Sequence, residues 1–282
     1  MTTLRVPMFF DNVNAYYQHA LATTMKSPIV ETRNAQTRRC FTLPCPIFDE
    51  LPLVTLRKTS WKLALREMEW FLSGNPKCPD ELLPWWKDQL NPEGMYIAGY
   101  SQQLRSFNGW FDQIDSLIGG LLHSPYSRRH VITTWDPEDM ASITAINKNP
   151  LTPTTCHTSF AQFFVEGVEL HMLSVQRSAD LLLGVPHNWV QSWAMLVWLA
   201  KQVDLDVGSL RWVFGDAHIY QEPSHIEAAT AIINASPASP AYKRHKPWLE
   251  YHGEKGKEFG AEDFTLEGVV ADPVTTVRPK LL

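Results

Sequence analysis

LTPTTCHTSFAQFF (residues 151–164) places a cysteine, Cys156, directly beside a histidine, His157, ahead of a stretch that reads as strand. Three readings compete. Cys156 is a nucleophile with a base, or half of a metal site, or a buried thiol without chemistry, since free cysteine is among the most buried residue types. If the segment is extended, neighbouring side chains point to opposite faces, so His157 is badly placed as base to Cys156. A thiol is only slightly ionised at neutral pH. A nucleophilic Cys156 then needs a nearby positive charge, and arginine is the candidate.

Working outward, SFAQFFVEGVELHMLSVQ (159–176) reads as two strands around a Glu166–Gly167 turn. QRSAD (176–180) follows, a polar quintet between apolar runs. Polar groups in such a place need partners, and a binding site is the economical account. PHNWVQSWAMLVWLAKQV (186–203) reads as a long helix with proline near its first position, and RWVFGDAHIY (211–220) as a short strand running into a loop or helix start. Upstream, SWKLALREMEWFL (60–72) has Trp61, Leu65, Met68 and Leu72 at helical spacing, with Gly74 as a stop. FDQIDSLIGGLLHS (111–124) reads as a second helix and RHVITTW (129–135) as a strand. SPASPAYKRHKP (236–247) reads as a surface loop. Strands and helices mix without strict alternation, which implies an α+β fold with helices packed on a largely antiparallel or mixed sheet. No linker divides the chain, so residues 1–282 are expected to form one domain.

Composition narrows the function. The 282 residues are 44% hydrophobic with net charge −5. That balance disfavours non-specific nucleic-acid binding, which needs a broad basic surface. Anion sites must then be local, and Arg33, Arg38 and Arg39, the pair Arg128 and Arg129, and Arg177 are candidates, because a guanidinium matches phosphate or carboxylate bidentately. Four scattered cysteines fit a reducing compartment better than a disulfide framework, and Cys40 and Cys45 lack a second pair to complete a zinc set. The N-terminal segment is not patterned as a signal peptide. The longest apolar run, WAMLVWLA (193–200), is too short to span a bilayer. These readings point to the cytoplasm. Glu67, on the first helix beside Leu63, Trp70 and Phe71, is either a carboxyl of raised pKa able to move protons or a rim residue paired with Lys62 or Arg66.

TTCH (154–157), QRSAD, GVPHN (184–188) and FGDAHIY (214–220) stand in an order and spacing that resemble the thymidylate synthase family, whose motifs are P-C-H, Q-R-S-x-D, G-x-P-F-N and G-D-x-H-x-Y. SRRHVITTW (127–135) looks like the family's paired-arginine strand, residues 51–75 like its glutamate-bearing helix region, and GYSQQLRSF (99–107) like its Y-G-x-Q-W-R segment. The resemblance implies a sheet face forming a homodimer interface, dUMP as substrate and 5,10-methylenetetrahydrofolate as one-carbon donor. It implies Cys156 as nucleophile on pyrimidine C6, Asn188 at the C4 oxygen, Tyr100 at the C5 proton, and Glu67 organising proton transfers. Arg33, Gln176, Arg177 and Ser178 would hold the nucleotide, with Arg128 and Arg129 from the other subunit at its phosphate. His218 and Tyr220 would hold the sugar hydroxyl, and Trp86, Asp180 and Gly184 the folate side, Asp180 at the pterin.

The pattern also departs from the family. Thr155 stands for the proline before the nucleophile, His187 for the phenylalanine before Asn188, Gln89 for one tryptophan, and Phe214 for a glycine. Residues 33–36 replace R-T-G-T, and TTVRPKLL (275–282) replaces an apolar terminus. REMEWF (66–71), with Glu69 two residues after Glu67, looks like the E-x-E-W helix of phage deoxycytidylate hydroxymethylases, in which water rather than hydride completes the reaction. A phage-encoded chain would work in the host cytoplasm. Asparagine at 188, where the cytosine enzymes carry aspartate, implies uracil. The resemblance thus leaves 5-hydroxymethyl-dUMP and dTMP as alternative products, and a non-catalytic nucleotide- or folate-binding relative as a third possibility.

Overall fold

A computed structural model describes residues 10, 12–32, 35–239, 246–268 and 272–279. Its helices are α1 (Val13–Met25), α2 (Trp61–Leu72), α3 (Leu83–Trp86), α4 (Tyr100–Arg105), α5 (Gln113–His123), α6 (Pro137–Ile146), α7 (Gly184–Gln202) and α8 (Pro223–Ile233). Its strands are β1 (Ile29–Glu31), β2 (Gln36–Cys40), β3 (Ile47–Phe48), β4 (Val131–Ile132), β5 (Phe160–Glu166), β6 (Glu169–Asp180), β7 (Asp206–Tyr220), β8 (Trp248–Tyr251) and β9 (Phe264–Glu267). The main sheet runs β1-β2-β7-β6-β5-β4, with β3 also on β7, and β8–β9 form a separate hairpin.

The sheet is mixed. β5 and β6 are antiparallel about the Glu166–Gly167 turn, where Gly167 takes φ +63°. β6 and β7 are parallel, joined by α7 as the crossover that a parallel pair requires. The expected break within residues 211–220 does not occur: β7 continues unbroken to Tyr220, because its polar end pairs with QRSAD, Ser178 opposite Asp216 and Asp180 opposite His218. In residues 129–135 only Val131 and Ile132 are strand. α1, α6 and α8 went unread in the sequence. In α1 the buried face takes in polar Asn14 and Thr24 along with Tyr16, Tyr17, Ala20 and Leu21, so no clean apolar stripe marks it.

α7 is buried on nearly every side, with Trp189, Val190, Ala194 and Leu199 wholly enclosed. It packs against β6, β7 and α2. A helix apolar all round belongs in a core, so the buried Asn188, Gln191 and Ser192 on it require polar partners. α2 ends at Gly74 in the left-handed region (φ +75°), the stop its sequence predicts. β5 alternates as a one-sided strand: Ala161 and Phe163 are enclosed, while Phe160 and Phe164 stand 39% and 42% exposed on the other face.

One close approach aligns β6 and β7. A Cβ on Gly215 would lie 2.6 Å from the Arg177 carbonyl oxygen, so only glycine lets the strands pair there. Gly215→Ala should therefore lower unfolding free energy by about 1–3 kcal/mol. Gly119→Ala, inside α5 with open space at the Cβ position, should raise it by about 0.5–1 kcal/mol. Denaturant melts of the two variants check the contrast, and an equal effect of both would contradict the steric account.

Candidate active site

Residues 154–158 are irregular rather than extended, and Thr158 takes φ +51°. The strand-based reason for separating Cys156 from His157 is thus wrong, but the two side chains are still apart in function. His157 turns inward and stacks on Tyr100, centroids 4.7 Å apart, with Nδ1 3.1 Å from Thr158 Oγ1. Burial lowers its pKa to about 3, so the ring is neutral. It is a packing residue of the site wall, not a base for the thiol.

Cys156 is half-buried and not in a disulfide. Its carbonyl accepts the Arg177 N–H at 2.8 Å, which fixes the loop to the end of β6. Arg177 then folds back over the loop: Nη2 donates to Thr154 Oγ1 at 2.6 Å and lies 3.8 Å from Cys156 Sγ. The guanidinium also sits over the Trp135 ring, 5.0 Å from its centroid. The predicted positive charge beside the thiol is therefore Arg177. Thr154 and Trp135, which seat it, were not singled out in the sequence, since neither type marks a site by itself.

Tyr100, at the start of α4, is buried, and its hydroxyl accepts the N–H of Cys156 at 2.6 Å and of His157 at 3.3 Å. Burial pushes its pKa well above the usual phenol value, so the group stays protonated. Its remaining O–H can donate to a group placed at Cys156.

Glu67 is not a rim residue. Arg66 pairs instead with Glu69 at 2.8 Å, so Glu69, which carried the E-x-E-W likeness, lies on the outer side of α2. Glu67 is buried, Oε1 accepting from Trp86 Nε1 and Oε2 from Gln191 Nε2, each at 2.5 Å. Burial raises its pKa against the opposing pull of those two donors. The chain of bonds continues: Asn188 Nδ2 donates to Gln191 Oε1 at 3.0 Å, and Gln176 Nε2 donates to Asn188 Oδ1 at 2.9 Å and to the Ser178 carbonyl at 3.2 Å. Gln191 was missed because a lone glutamine in an apolar helix reads as an ordinary buried amide. Gly184 keeps this corner open, since a Cβ there would approach Asn188 Oδ1 to 3.1 Å.

Other predicted residues fall into two groups. Ser178 lies beside the nucleophile loop, its N–H 3.4 Å from the Cys156 carbonyl. His218 and Tyr220 are neighbours at the end of β7, ring centroids 5.2 Å apart, with His218 Nδ1 3.1 Å from the Asp216 carbonyl. Arg128 and Arg129 are exposed, just before β4 and outside this cluster. Arg33 lies outside the described residues. Arg38 and Arg39 do not join the cluster: Arg38 donates to the Ser27 carbonyl, and Arg39 pairs with Asp216 at 2.5 Å.

The residues expected at the folate include Trp86 and Asp180. Trp86 is turned inward onto Glu67, and its half-exposed neighbour Trp85 packs edge-on against His187 at 5.2 Å. Asp180 Oδ1 accepts from Leu182 and Leu183 N–H at 2.8 and 3.0 Å. Arg57 Nη1 is buried with no hydrogen-bond partner among the described residues. Thr275 of the tail bridges to Arg57, and the Val274 N–H reaches the Leu56 carbonyl at 3.1 Å, so residues 274–275 close on this edge.

Neutral His157 gives a pH signature. Its folded pKa of about 3 lies below the ordinary histidine value, so stability is fully present above about pH 6.5 and declines as pH falls toward 3. At pH 5 the loss from this residue is about 2 kcal/mol. His157→Phe, which keeps the ring stack, should lose about 2 kcal/mol less than the parent chain between pH 7 and pH 5 in urea titrations. Equal losses would contradict the buried neutral ring.

The family model described as thymidylate synthase matches residues 29–278. The thymidylate synthase of Francisella philomiragia subsp. philomiragia is 35% identical over 196 residues, covering 66% of this chain and 70% of that protein. That of Francisella tularensis subsp. holarctica (strain FTNF002-00 / FTA) is 36% identical over 224 residues, covering 76% and 80%. With a cysteine, an arginine, a tyrosine and a buried glutamate–amide chain assembled in one site, the chain belongs to the thymidylate synthase family of folate-dependent one-carbon transferases, which take the carbon from 5,10-methylenetetrahydrofolate and place it on dUMP.

Proposed function

We propose that Cys156 attacks C6 of dUMP and that water completes the reaction, giving 5-hydroxymethyl-dUMP and tetrahydrofolate. The Cys156 sulfur forms a bond to C6, and the C5–C6 electron pair moves to the C4 oxygen, where Asn188 meets the developing charge. C5 is then nucleophilic and accepts the carbon that 5,10-methylenetetrahydrofolate supplies. Loss of the C5 proton, assisted by Tyr100 and water, and departure of tetrahydrofolate leave an exocyclic methylene on the pyrimidine. Addition of water to that carbon and expulsion of Cys156 restore the ring. Glu67 would hold and move protons near C4 through the bonds it makes. Arg177 and Ser178 would hold the phosphate, His218 and Tyr220 the sugar, and Trp85, His187, Arg57 and Asp180 the folate.

One observation carries the choice of water. The polar groups around Asn188 are incompletely bonded: Gln176 Oε1, on the amide that donates to Asn188, and Ser192 Oγ, one helical turn along α7 from Asn188, are buried without a hydrogen-bond partner among the described residues. Such atoms are satisfied by ordered water or substrate, and water held there is the reagent the hydroxymethyl product needs. A second reading is dTMP with dihydrofolate, in which hydride replaces water. It is favoured by the names of the relatives, and by Glu69 facing Arg66 rather than the site.

The exposed Arg128 and Arg129, next to a sheet face bearing Phe160 and Phe164, support a homodimer that lends these arginines to the other chain's phosphate. The product is tested by mass spectrometry of the nucleotide with near-ultraviolet assay of dihydrofolate. The expected result is a hydroxymethyl nucleotide without dihydrofolate; dTMP with stoichiometric dihydrofolate overturns the proposal in favour of the second reading. Mixing Cys156→Ser and Arg129→Ala chains, each inactive or crippled alone, should restore part of the activity, because one site per mixed dimer is intact. No recovery in verified mixed dimers would mean that each site is built from one chain.

A further inference from the structure

We infer that Gln191 is a positioning residue that decides which pyrimidine edge the site accepts, by fixing the direction in which the Asn188 amide faces. The inference rests on the reading of Asn188 as the residue that meets the base. An amide's oxygen and nitrogen ends have nearly the same shape, so packing alone does not choose between its two orientations. Hydrogen-bond polarity does.

The chain has a defined polarity at both ends. Glu67 accepts on both oxygens, from Trp86 and from Gln191. Glu67 Oε2 takes the Gln191 nitrogen, which turns the Gln191 oxygen to Asn188. Asn188 must then present its nitrogen to Gln191 and its oxygen to Gln176. At the other end Gln176 is oriented by the Ser178 carbonyl, which also can only accept. Asn188 and Gln191 lie three residues apart on α7, so one helix face brings them together. Reversing Asn188 alone would set nitrogen against nitrogen and oxygen against oxygen in a wholly buried setting: Gln176 is 1% exposed and Gln191 0%.

Held this way, Asn188 keeps one hydrogen on Nδ2 and one lone pair on Oδ1 to spare. That donor and acceptor match the O4 acceptor and N3–H donor of uracil. The reversed amide would match the N3 acceptor and N4 donor of cytosine. Uracil preference is therefore set by a residue that itself touches no substrate, anchored on the carboxylate of Glu67.

The test measures dUMP and dCMP affinities by titration calorimetry on the whole chain, without turnover. Gln191→Met keeps the volume and removes the polarity; the dUMP-to-dCMP affinity ratio should fall about three- to tenfold, mostly through a gain for dCMP. Gln191→Glu should hold the ratio within about twofold: next to Glu67 the pair shares a proton, so the new carboxyl accepts from Asn188 and donates to Glu67. Gln176→Met, which removes the other support, should shift the ratio in the same direction as Gln191→Met and decides the matter if that variant does not fold. A merely structural role would move both affinities together and leave the ratio alone. Asn188→Asp serves as control. If it lowers the ratio while folded Gln191→Met and Gln176→Met leave it unchanged, the inference is overturned and the reading of Asn188 stands. If Asn188→Asp leaves the ratio unchanged, that reading fails and the inference fails with it.

Discussion

Arg177 is tied to Cys156 twice. Its backbone N–H takes the Cys156 carbonyl at 2.8 Å, and its guanidinium returns to within 3.8 Å of the sulfur. The first contact fastens an irregular loop to the end of a central strand; the second puts a positive charge where a thiolate is attracted to it. Both depend on β6 reaching its last residues beside β7, and that pairing depends on Gly215. The α7 crossover makes the parallel pair possible and delivers Asn188 and Gln191 to the same end. The site thus sits at the C-terminal ends of two parallel strands, where the helix joining them begins.

A second constraint is the cost of burying polar groups on that helix and on the strand and helix packed against it. Three amides and a carboxyl lie among tryptophans and leucines, and each unmade bond there would cost about 1–3 kcal/mol. The structure meets most of the demand with one directional chain from Ser178 through Gln176, Asn188 and Gln191 to Glu67, leaving Gln176 Oε1 without a partner among the described residues. Burial and donated hydrogen bonds pull the Glu67 carboxyl in opposite directions, with burial the larger. A carboxyl held up in this way changes its proton more readily than an exposed one, the property expected of a group that moves protons beside a substrate.

Much of this was legible in the residues. Helical spacing from Trp61 to Leu72 with the Gly74 stop, and the Glu166–Gly167 turn, are local signals, and they appear where the pattern puts them. The motif order names Cys156, Arg177, Asn188 and His218, which the fold carries at the ends of β6 and β7 and the start of α7. What failed was non-local. Polar FGDAHIY reads as a strand end because nothing in its own sequence shows that QRSAD will pair with it. Glu69 was given weight for standing two residues from Glu67, but two residues on a helix turn a side chain well away from its neighbour, here to Arg66. Gln191, Thr154 and Trp135 carry no signal of their own; their places follow only from what folds against them.

The central claim is that Cys156, at Arg177, forms the bond to the pyrimidine. Its most direct measurement uses 5-fluoro-2′-deoxyuridylate with 5,10-methylenetetrahydrofolate. Fluorine at C5 cannot leave as the proton does, so the reaction stops with the sulfur–C6 bond in place. Peptide mass spectrometry should find nucleotide and folate together on the peptide containing Cys156, and no adduct in Cys156→Ser. An adduct on Cys40, Cys45 or Cys78, or turnover of dUMP with no adduct on Cys156, would contradict the account.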